Sequence, residues 1–256
     1  MNALHALVLG VVEGVTEFLP ISSTAHLALA SKLLGLVQSD FMKSFEIFIQ
    51  FGAILAVIYL YGKEMINNRL WLKKVLIAFI PTGIIGFGLY KIIKNLFLSS
   101  YPVMVWSLLA GGVLLILFEL IFREKESAKE DISQLSTFKC LMIGVFQSLA
   151  VVPGVSRAAA TIIGGQLLGI KRKTIVEFSF ILAIPTTLAA SGYDLCKSGA
   201  AFSSGDYYNL TLGFIVSFIV AVFAIKFLLN YVRNHSFIAF GIYRIVIALI
   251  FMWLVL

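Results

Sequence analysis

The sequence predicts an all-α polytopic membrane protein, an inverted repeat of six transmembrane helices plus two re-entrant helical hairpins. Three observations carry this reading. Of the 256 residues, 60% are hydrophobic and only 13% are charged, about half the charged share of an ordinary soluble domain. Six apolar runs have about the 20 residues that a membrane crossing needs. A polar cluster also occurs twice, half a chain apart, inside apolar sequence.

The six runs are roughly 44–61, 75–93, 103–122, 174–195, 208–229 and 236–256. Two further apolar stretches, 1–36 and 138–170, are interrupted by Pro20 and Pro153 and by hydroxyl residues. Proline removes a backbone donor and stops a helix, and each remaining piece is shorter than the roughly 20 residues of a full crossing. Both stretches therefore read as hairpins of two short helices that enter and leave on one side. Irregular backbone at membrane depth is tolerated only where protein or a wet cavity surrounds it. Each half is one hairpin plus three spans, and an odd number inverts the second half. Such repeats place their binding site at the repeat interface. The expected division is one integral membrane domain, with repeat 1 at about 1–122, a linker at 123–137 and repeat 2 at about 138–256. The mixed-charge run from Arg123 to Asp131 reads as a solvated loop.

Charge orients the chain. With loop 62–74 in the cytoplasm, that side holds Lys63, Arg69, Lys73, Lys74, Arg123, Lys125, Lys129, Lys139, Lys171, Arg172, Lys173, Lys226 and Arg233. The other side holds Lys32, Lys43, Lys91, Lys94 and Lys197, so thirteen stand against five. The positive-inside rule then puts both termini and the mouth of the first hairpin outside. The net charge of +7 reads as this topology signal, and no nucleic-acid partner is expected. Cys140 and Cys196 fit no metal spacing and require no disulfide. The N-terminal residues lack a basic stretch and run straight into Glu13, so no cleavable signal peptide is expected.

The two clusters carry the chemistry. The first is Gly10-Val-Val-Glu-Gly-Val-Thr-Glu-Phe-Leu-Pro-Ile-Ser-Ser-Thr-Ala-His26, and the second is Gly144-Val-Phe-Gln-Ser-Leu-Ala-Val-Val-Pro-Gly-Val-Ser-Arg-Ala-Ala-Ala-Thr161. Ionisable residues inside a bilayer are costly and usually mark a site. Glu13 and Glu17 are four apart and share a helix face. Two carboxylates that close need a proton, a divalent cation or an arginine between them; the bland alternative is a proton relay or a polar clamp between helices. Ser22, Ser23 and Thr24 stand where the next helix begins, and capping is the ordinary role for at least one of them. His26 follows within one helical turn. In the second cluster, Ser156 and Arg157 again open a short helix. Arginine offers a planar fork that suits phosphate oxygens, while its bland reading is an ion pair with Glu13 or Glu17. Helix N-termini bind anions through free N–H groups and the helix dipole. Together these point to a phosphate-type ligand. Glu46, Glu119, Glu177 and Arg244 also stand in or beside spans and call for partners that the sequence does not identify.

The stretch Glu13 to His26 resembles the first signature of the undecaprenyl-diphosphate phosphatases of the bacitracin-resistance type, and Pro153 to Thr161 resembles their second. Glu177-Phe-Ser-Phe-Ile-Leu-Ala-Ile-Pro185 and Ile242-Tyr-Arg244 are similar to the family as well, so the resemblance spans essentially the whole chain. It implies a multi-pass enzyme of the bacterial inner membrane. Such an enzyme removes one phosphate from an isoprenoid diphosphate lipid, recycles the carrier for peptidoglycan and confers bacitracin resistance. It also implies a divalent cation, magnesium or calcium, and allows a homodimer among the membrane lipids. By motif match, Glu13 and Glu17 become metal and catalytic residues, Ser23 a nucleophile or phosphate ligand, His26 a catalytic residue and Arg157 the diphosphate-binding arginine. Ser22, Thr24, Ser156 and Thr161 become substrate-binding hydroxyls. The family's second motif usually reads Ser-Arg-Ser-Gly, whereas here Ala158 and Ala159 follow Arg157. The attacking group stays open between Ser23, His26 and water, with Ser23 preferred.

Two rival classes fit less well. A lipid flippase or transporter matches the inverted repeat, but fold analogy alone is a weak warrant for function. An assembly protein would need no charged, broken hairpins. The topology has its own test. A single cysteine placed at Ser127, with Cys140 and Cys196 replaced, should react with an impermeant thiol reagent only after the cytoplasmic face is opened. Strong labelling from outside intact cells would reverse the orientation.

Overall fold

A computed structural model describes residues 1–37, 39–89, 100–122, 128, 131–198 and 204–255. Among them are ten α-helices and no strand. The first half contributes α1 (Ala3–Thr16), α2 (Ser23–Leu33), α3 (Asp40–Asn67), α4 (Arg69–Gly88) and α5 (Tyr101–Ile121). The second contributes α6 (Thr137–Ser148), α7 (Arg157–Leu167), α8 (Arg172–Ser198), α9 (Ser204–Tyr231) and α10 (Ile238–Val255).

Five helices are long and apolar enough to cross a membrane: α3, α4, α5, α9 and α10. The remaining long helix, α8, has 27 residues but carries Glu177, Ser179, Thr186, Thr187 and Ser191, which lower its hydropathy. It can hold them because it runs through the interior, with Phe178, Phe180, Ile181 and Leu182 fully buried. Helices α3 and α4 begin several residues before the sequence-based spans, with capped starts. Ser39 accepts from the Met42 amide at the start of α3, and Asn68 accepts from the Leu70 amide at the start of α4. The last part of the expected span 75–93, Lys91 and Lys94, and positions 123–127, 129 and 130 of the linker lie outside the described residues. Just after the mixed-charge run, the short turn Ile132–Gln134 packs on α4 and α8, and Ile132 and Leu135 are buried.

The hairpins form as the prolines dictate. Helices α1 and α2 have 14 and 11 residues, and α6 and α7 have 12 and 11. All four fall short of the roughly 20 that a crossing needs, and each pair packs on itself. The repeat is legible in backbone detail. Ser22 and Ser156 both adopt positive φ, 72° and 76°, and Gly35 and Gly169 adopt 65° and 73°. Each hairpin ends in the same glycine-closed turn, in which the Leu36 amide donates to the Ser31 carbonyl and the Ile170 amide to the Gly165 carbonyl. The left-handed conformation there favours glycine, which has no Cβ to clash.

The halves pack by exchange. Helix α1 of the first half lies on α9 of the second, and α6 of the second lies on α4 of the first. Helices α3 and α8 meet each other, as do α5 and α10. Glycines make the exchange close. A Cβ on Gly10 would stand 2.8 Å from the Gly213 carbonyl, and one on Gly144 would strike the Ala78 carbonyl. Small residues at such crossings let helix backbones approach where lipid supplies no hydrophobic drive. At one end Arg172 closes the assembly. Its Nη2 donates to both carboxylate oxygens of Glu119 at 3.0 and 2.8 Å, its Nη1 donates to the His235 carbonyl at 3.1 Å, and the guanidinium lies over the Phe237 ring. Glu177 pairs with Lys173 at 3.8 Å.

Gly144→Ala should lower the thermal stability of detergent-solubilised protein by about 1–3 kcal/mol or more, the usual penalty of overpacking. Gly86→Ala is the control. A Cβ there meets nothing within 4 Å, so this change should be neutral or gain up to about 1 kcal/mol of helix propensity.

Candidate active site

Helix α1 reaches the turn with Glu17 at its C-cap, still in helical conformation. Glu13 and Glu17 therefore do share one face, and they fare differently. Glu17 lines a polar cavity of about 130 Å³, together with Ser22, Ser23, Thr24, Gln50, Pro153, Gly154, Ser156, Arg157 and Thr187. Glu13 is fully buried outside the cavity lining, and its carboxylate meets no N–H or O–H donor other than a proton it could share with the adjacent Glu17 carboxyl. The charged groups around Glu13 are Glu17, Glu46 and Arg157.

One chain of contacts joins the halves. The Ser23 hydroxyl donates to Oε2 of Glu17 at 2.5 Å, and Nη2 of Arg157 donates to Oε1 at 3.3 Å. Arg157 is held from behind by Nη1, which donates to the Ser179 carbonyl at 2.8 Å. The Ser179 hydroxyl in turn lies 2.7 Å from that of Thr161. Residues 17 and 157 are thus an ion pair brought together across 140 positions of sequence.

The hydroxyls divide by role. Ser156 caps α7, its side chain accepting from the Ala159 amide at 3.2 Å. Ser22 occupies the same position before α2 but makes no side-chain cap bond, so its hydroxyl remains available to the cavity. The positive φ of both residues is strained for a side chain other than glycine, at about 1–3 kcal/mol. Such strain persists where the surroundings over-determine the conformation, and it aims both helix starts at the same space. Thr24 lines the cavity. Thr161 does not: it is fully buried and also donates back to the Arg157 carbonyl at 2.9 Å, so it braces Arg157. Ala158 is buried too, at 1% exposure, and does not line the cavity. The hydroxyl that the family motif carries there would point into packing.

His26 lies outside the cavity lining. Its Nδ1 is 2.7 Å from the Ser22 carbonyl, which can only accept, so Nδ1 carries the proton. Nε2 lies 3.0 Å from the Tyr243 hydroxyl, from which it accepts when the ring is neutral, and the two rings stack. In this conformation Glu17, and not His26, touches the Ser23 hydroxyl. Sequence reasoning missed Gln50 and Thr187 in the lining and Ser179 behind Arg157. All three come from long helices where a single polar residue in an apolar run has no local signature. The hydrogen bond from Ser191 to Oε1 of Gln50, 3.0 Å long, couples two of those helices.

The ion pair invites a stability test. Its partners are 12% and 11% exposed. Removing one partner of a buried pair leaves an uncompensated charge and costs about 3–5 kcal/mol. Arg157→Met should lose that order of stability in detergent, and adding Glu17→Gln to the same protein should recover most of it. Equal losses in the single and double variants would mean that the pair contributes nothing to the fold.

The family model described as bacitracin resistance protein BacA matches residues 6–250. A protein of Sulfurihydrogenibium sp. (strain YO3AOP1) named undecaprenyl-diphosphatase is 54% identical over 251 residues, covering 98% of each chain. Proteins of the same name from Aquifex aeolicus and Persephonella marina are 52% and 50% identical, over 98% and 100% of each chain. This chain belongs to the BacA family.

Proposed function

We propose that the chain is an undecaprenyl-diphosphatase of the bacterial inner membrane. It hydrolyses the C55 isoprenoid diphosphate to the monophosphate and inorganic phosphate at the outer face, recycling the lipid carrier for peptidoglycan synthesis. Bacitracin resistance follows from that activity when the enzyme is abundant. The observation that carries the reading is the contact chain Ser23–Glu17–Arg157 in a cavity lined by the starts of two helices.

The chemistry runs as two displacements. The diphosphate head enters the cavity while the isoprenoid tail stays among lipid acyl chains. The N-termini of α2 and α7 and the remaining Arg157 donors hold the phosphoryl oxygens, and Ser22, Thr24, Gln50 and Thr187 orient them. The Ser23 oxygen attacks the terminal phosphorus as its proton passes to Glu17, in the manner of an activated nucleophile. The bond to the bridging oxygen breaks, and the lipid monophosphate leaves with that electron pair. Glu17 then releases its proton to the departing phosphate group. Water attacks the serine phosphate as its proton passes to Glu17, the bond between phosphorus and the Ser23 oxygen breaks, and Glu17 returns the proton to that oxygen as inorganic phosphate departs. Phosphoryl transfer is served mostly by position and charge, which is what the Arg157 fork and the fixed helix ends supply.

The Glu13 carboxylate fits a divalent cation, magnesium or calcium. It is buried, meets no N–H or O–H donor other than a proton it could share with Glu17, and is close to further carboxylates, and an isolated buried charge needs a counter-ion or a proton. Glu13 and Glu17 would hold it. No cluster of three His, Cys, Asp or Glu side chains suited to a metal occurs among the described residues. When bound, the cation supplies Lewis-acid stabilisation of phosphate oxygens and offsets the paired carboxylates.

Phosphate release from C55 diphosphate by purified protein, with and without chelator, tests the proposal. Wild-type protein should turn over and stop on chelation. Ser23→Ala and Glu17→Gln should each lose at least about 10²-fold in turnover, since each removes part of one nucleophile–base unit. A folded protein that moves the lipid but releases no phosphate would make it a carrier transporter. Full turnover by Glu17→Gln would dismiss the site.

A further inference from the structure

Arg244, on α10, is one of the largest fully buried side chains. An arginine has five N–H donors, and here every one goes to a backbone carbonyl. Nε donates to Leu108 at 3.4 Å, Nη1 to Pro20 at 3.2 Å and Val155 at 3.0 Å, and Nη2 to Ser107 at 3.1 Å and Gly154 at 2.8 Å. No donor remains for a carboxylate. Pro20 belongs to the turn of the first hairpin and Gly154 and Val155 to that of the second, while Ser107 and Leu108 lie on α5. One guanidinium therefore ties both hairpin turns to one long helix.

The slot around it is built. A Cβ on Gly111 of α5 would strike Nη2 of Arg244. A Cβ on Gly112 would stand 2.8 Å from the Gly241 carbonyl, so α5 and α10 approach closely at this level. The second turn is itself wedged against α5, since a Cβ on Gly154, at φ 94°, would stand 2.6 Å from the Met104 carbonyl. Direction matters as well as grip. No peptide bond here is cis, so when the Val155 carbonyl faces Arg244, the Ser156 N–H on the opposite edge of that planar unit faces away from it. Ser156 lines the cavity.

We propose that Arg244 is a positioning residue for the reaction: by holding the Pro20, Gly154 and Val155 carbonyls it sets the spacing of the two hairpin turns, and so keeps the Ser23–Glu17 pair of one half in register with Arg157 of the other. It touches no substrate. Its positive charge, balanced only by carbonyl dipoles, adds to the attraction of the cavity for an anion. Lysine cannot replace it, because a compact ammonium with three donors cannot span carbonyls from three segments.

The inference rests on the phosphatase reading in its kinetic arm alone. Two variants separate fold from position: Arg244→Lys, and Gly111→Ala, which keeps the arginine but presses on its guanidinium. Spin labels at Val15 and Leu149, exposed positions beside the two turns at 38% and 58%, report the spacing between hairpins once Cys140 and Cys196 are replaced. In the parent protein the distance distribution should be narrow, and it should broaden in both variants. Turnover on C55 diphosphate should fall by about 30- to 100-fold with KM within about threefold, because misplacement near 1 Å can cost about that much in rate. An unchanged distribution in both variants, or a broadened one with full turnover, would overturn the proposal. So would loss of the folded state in both, which would make Arg244 a residue of fold stability. If the parent releases no phosphate at all, the functional reading fails, and the distance arm still decides whether Arg244 ties the hairpins.

Discussion

The constraint on which the structure depends is the irregular backbone of two buried hairpin turns in an apolar helical protein. Hydrocarbon offers no partner to a free carbonyl or N–H, and each unsatisfied group costs several kcal/mol. The chain answers asymmetrically. Turn carbonyls at Pro20, Gly154 and Val155 face a buried guanidinium. The N-terminal edges of α2 and α7, whose N–H groups have no intrahelical partner, face the cavity. Sorting the backbone in this way places acceptors on one side and donors on the other. The proposed phosphate site would follow from the solution to a folding problem.

Pseudo-symmetry makes the turns alike, and a few side chains make them differ. Glu13 in the first hairpin corresponds to Gln147 in the second. Gln147 braces α6 by donating to the hydroxyls of Thr82 at 2.8 Å and Thr186 at 3.1 Å, while Glu13 meets no N–H or O–H donor beyond a proton it could share with Glu17. Ser156 caps its helix, while Ser22 does not. Arg157 stands where the first hairpin has Ser23, so the two starts bring a cation and a hydroxyl to opposite oxygens of one carboxylate. The second hairpin is the braced and cationic partner, and the first carries the carboxylates and the serine proposed as nucleophile.

Much of this was legible in the chain. Hydropathy and two prolines were enough to read the hairpins and long helices, because membrane length and backbone satisfaction leave few alternatives. Glu17, Ser23 and Arg157 stood out because charge and hydroxyls in apolar sequence need a reason. What resisted reading was contact across the fold. His26 sits one turn from Ser23, yet its ring is turned to Tyr243, 217 positions away. Thr161 belongs to the second motif but serves behind Arg157. Arg244 called for a partner and has five, all backbone carbonyls, which leave no mark in side-chain sequence. The capping expected of the first hairpin's hydroxyls is not made: Ser22 stands at the N-cap of α2 without a side-chain bond, while its counterpart Ser156 caps α7.

The central claim is that the two hairpins act as one site. A double-mutant cycle in kcat/KM on C55 diphosphate tests it most directly, with Ser23→Ala in the first hairpin, Arg157→Lys in the second and both together. Groups that act as a unit are strongly non-additive. The account expects the double variant to be little worse than the poorer single variant. Losses that simply multiply would mean that the two residues contribute independently, and would contradict a composite site.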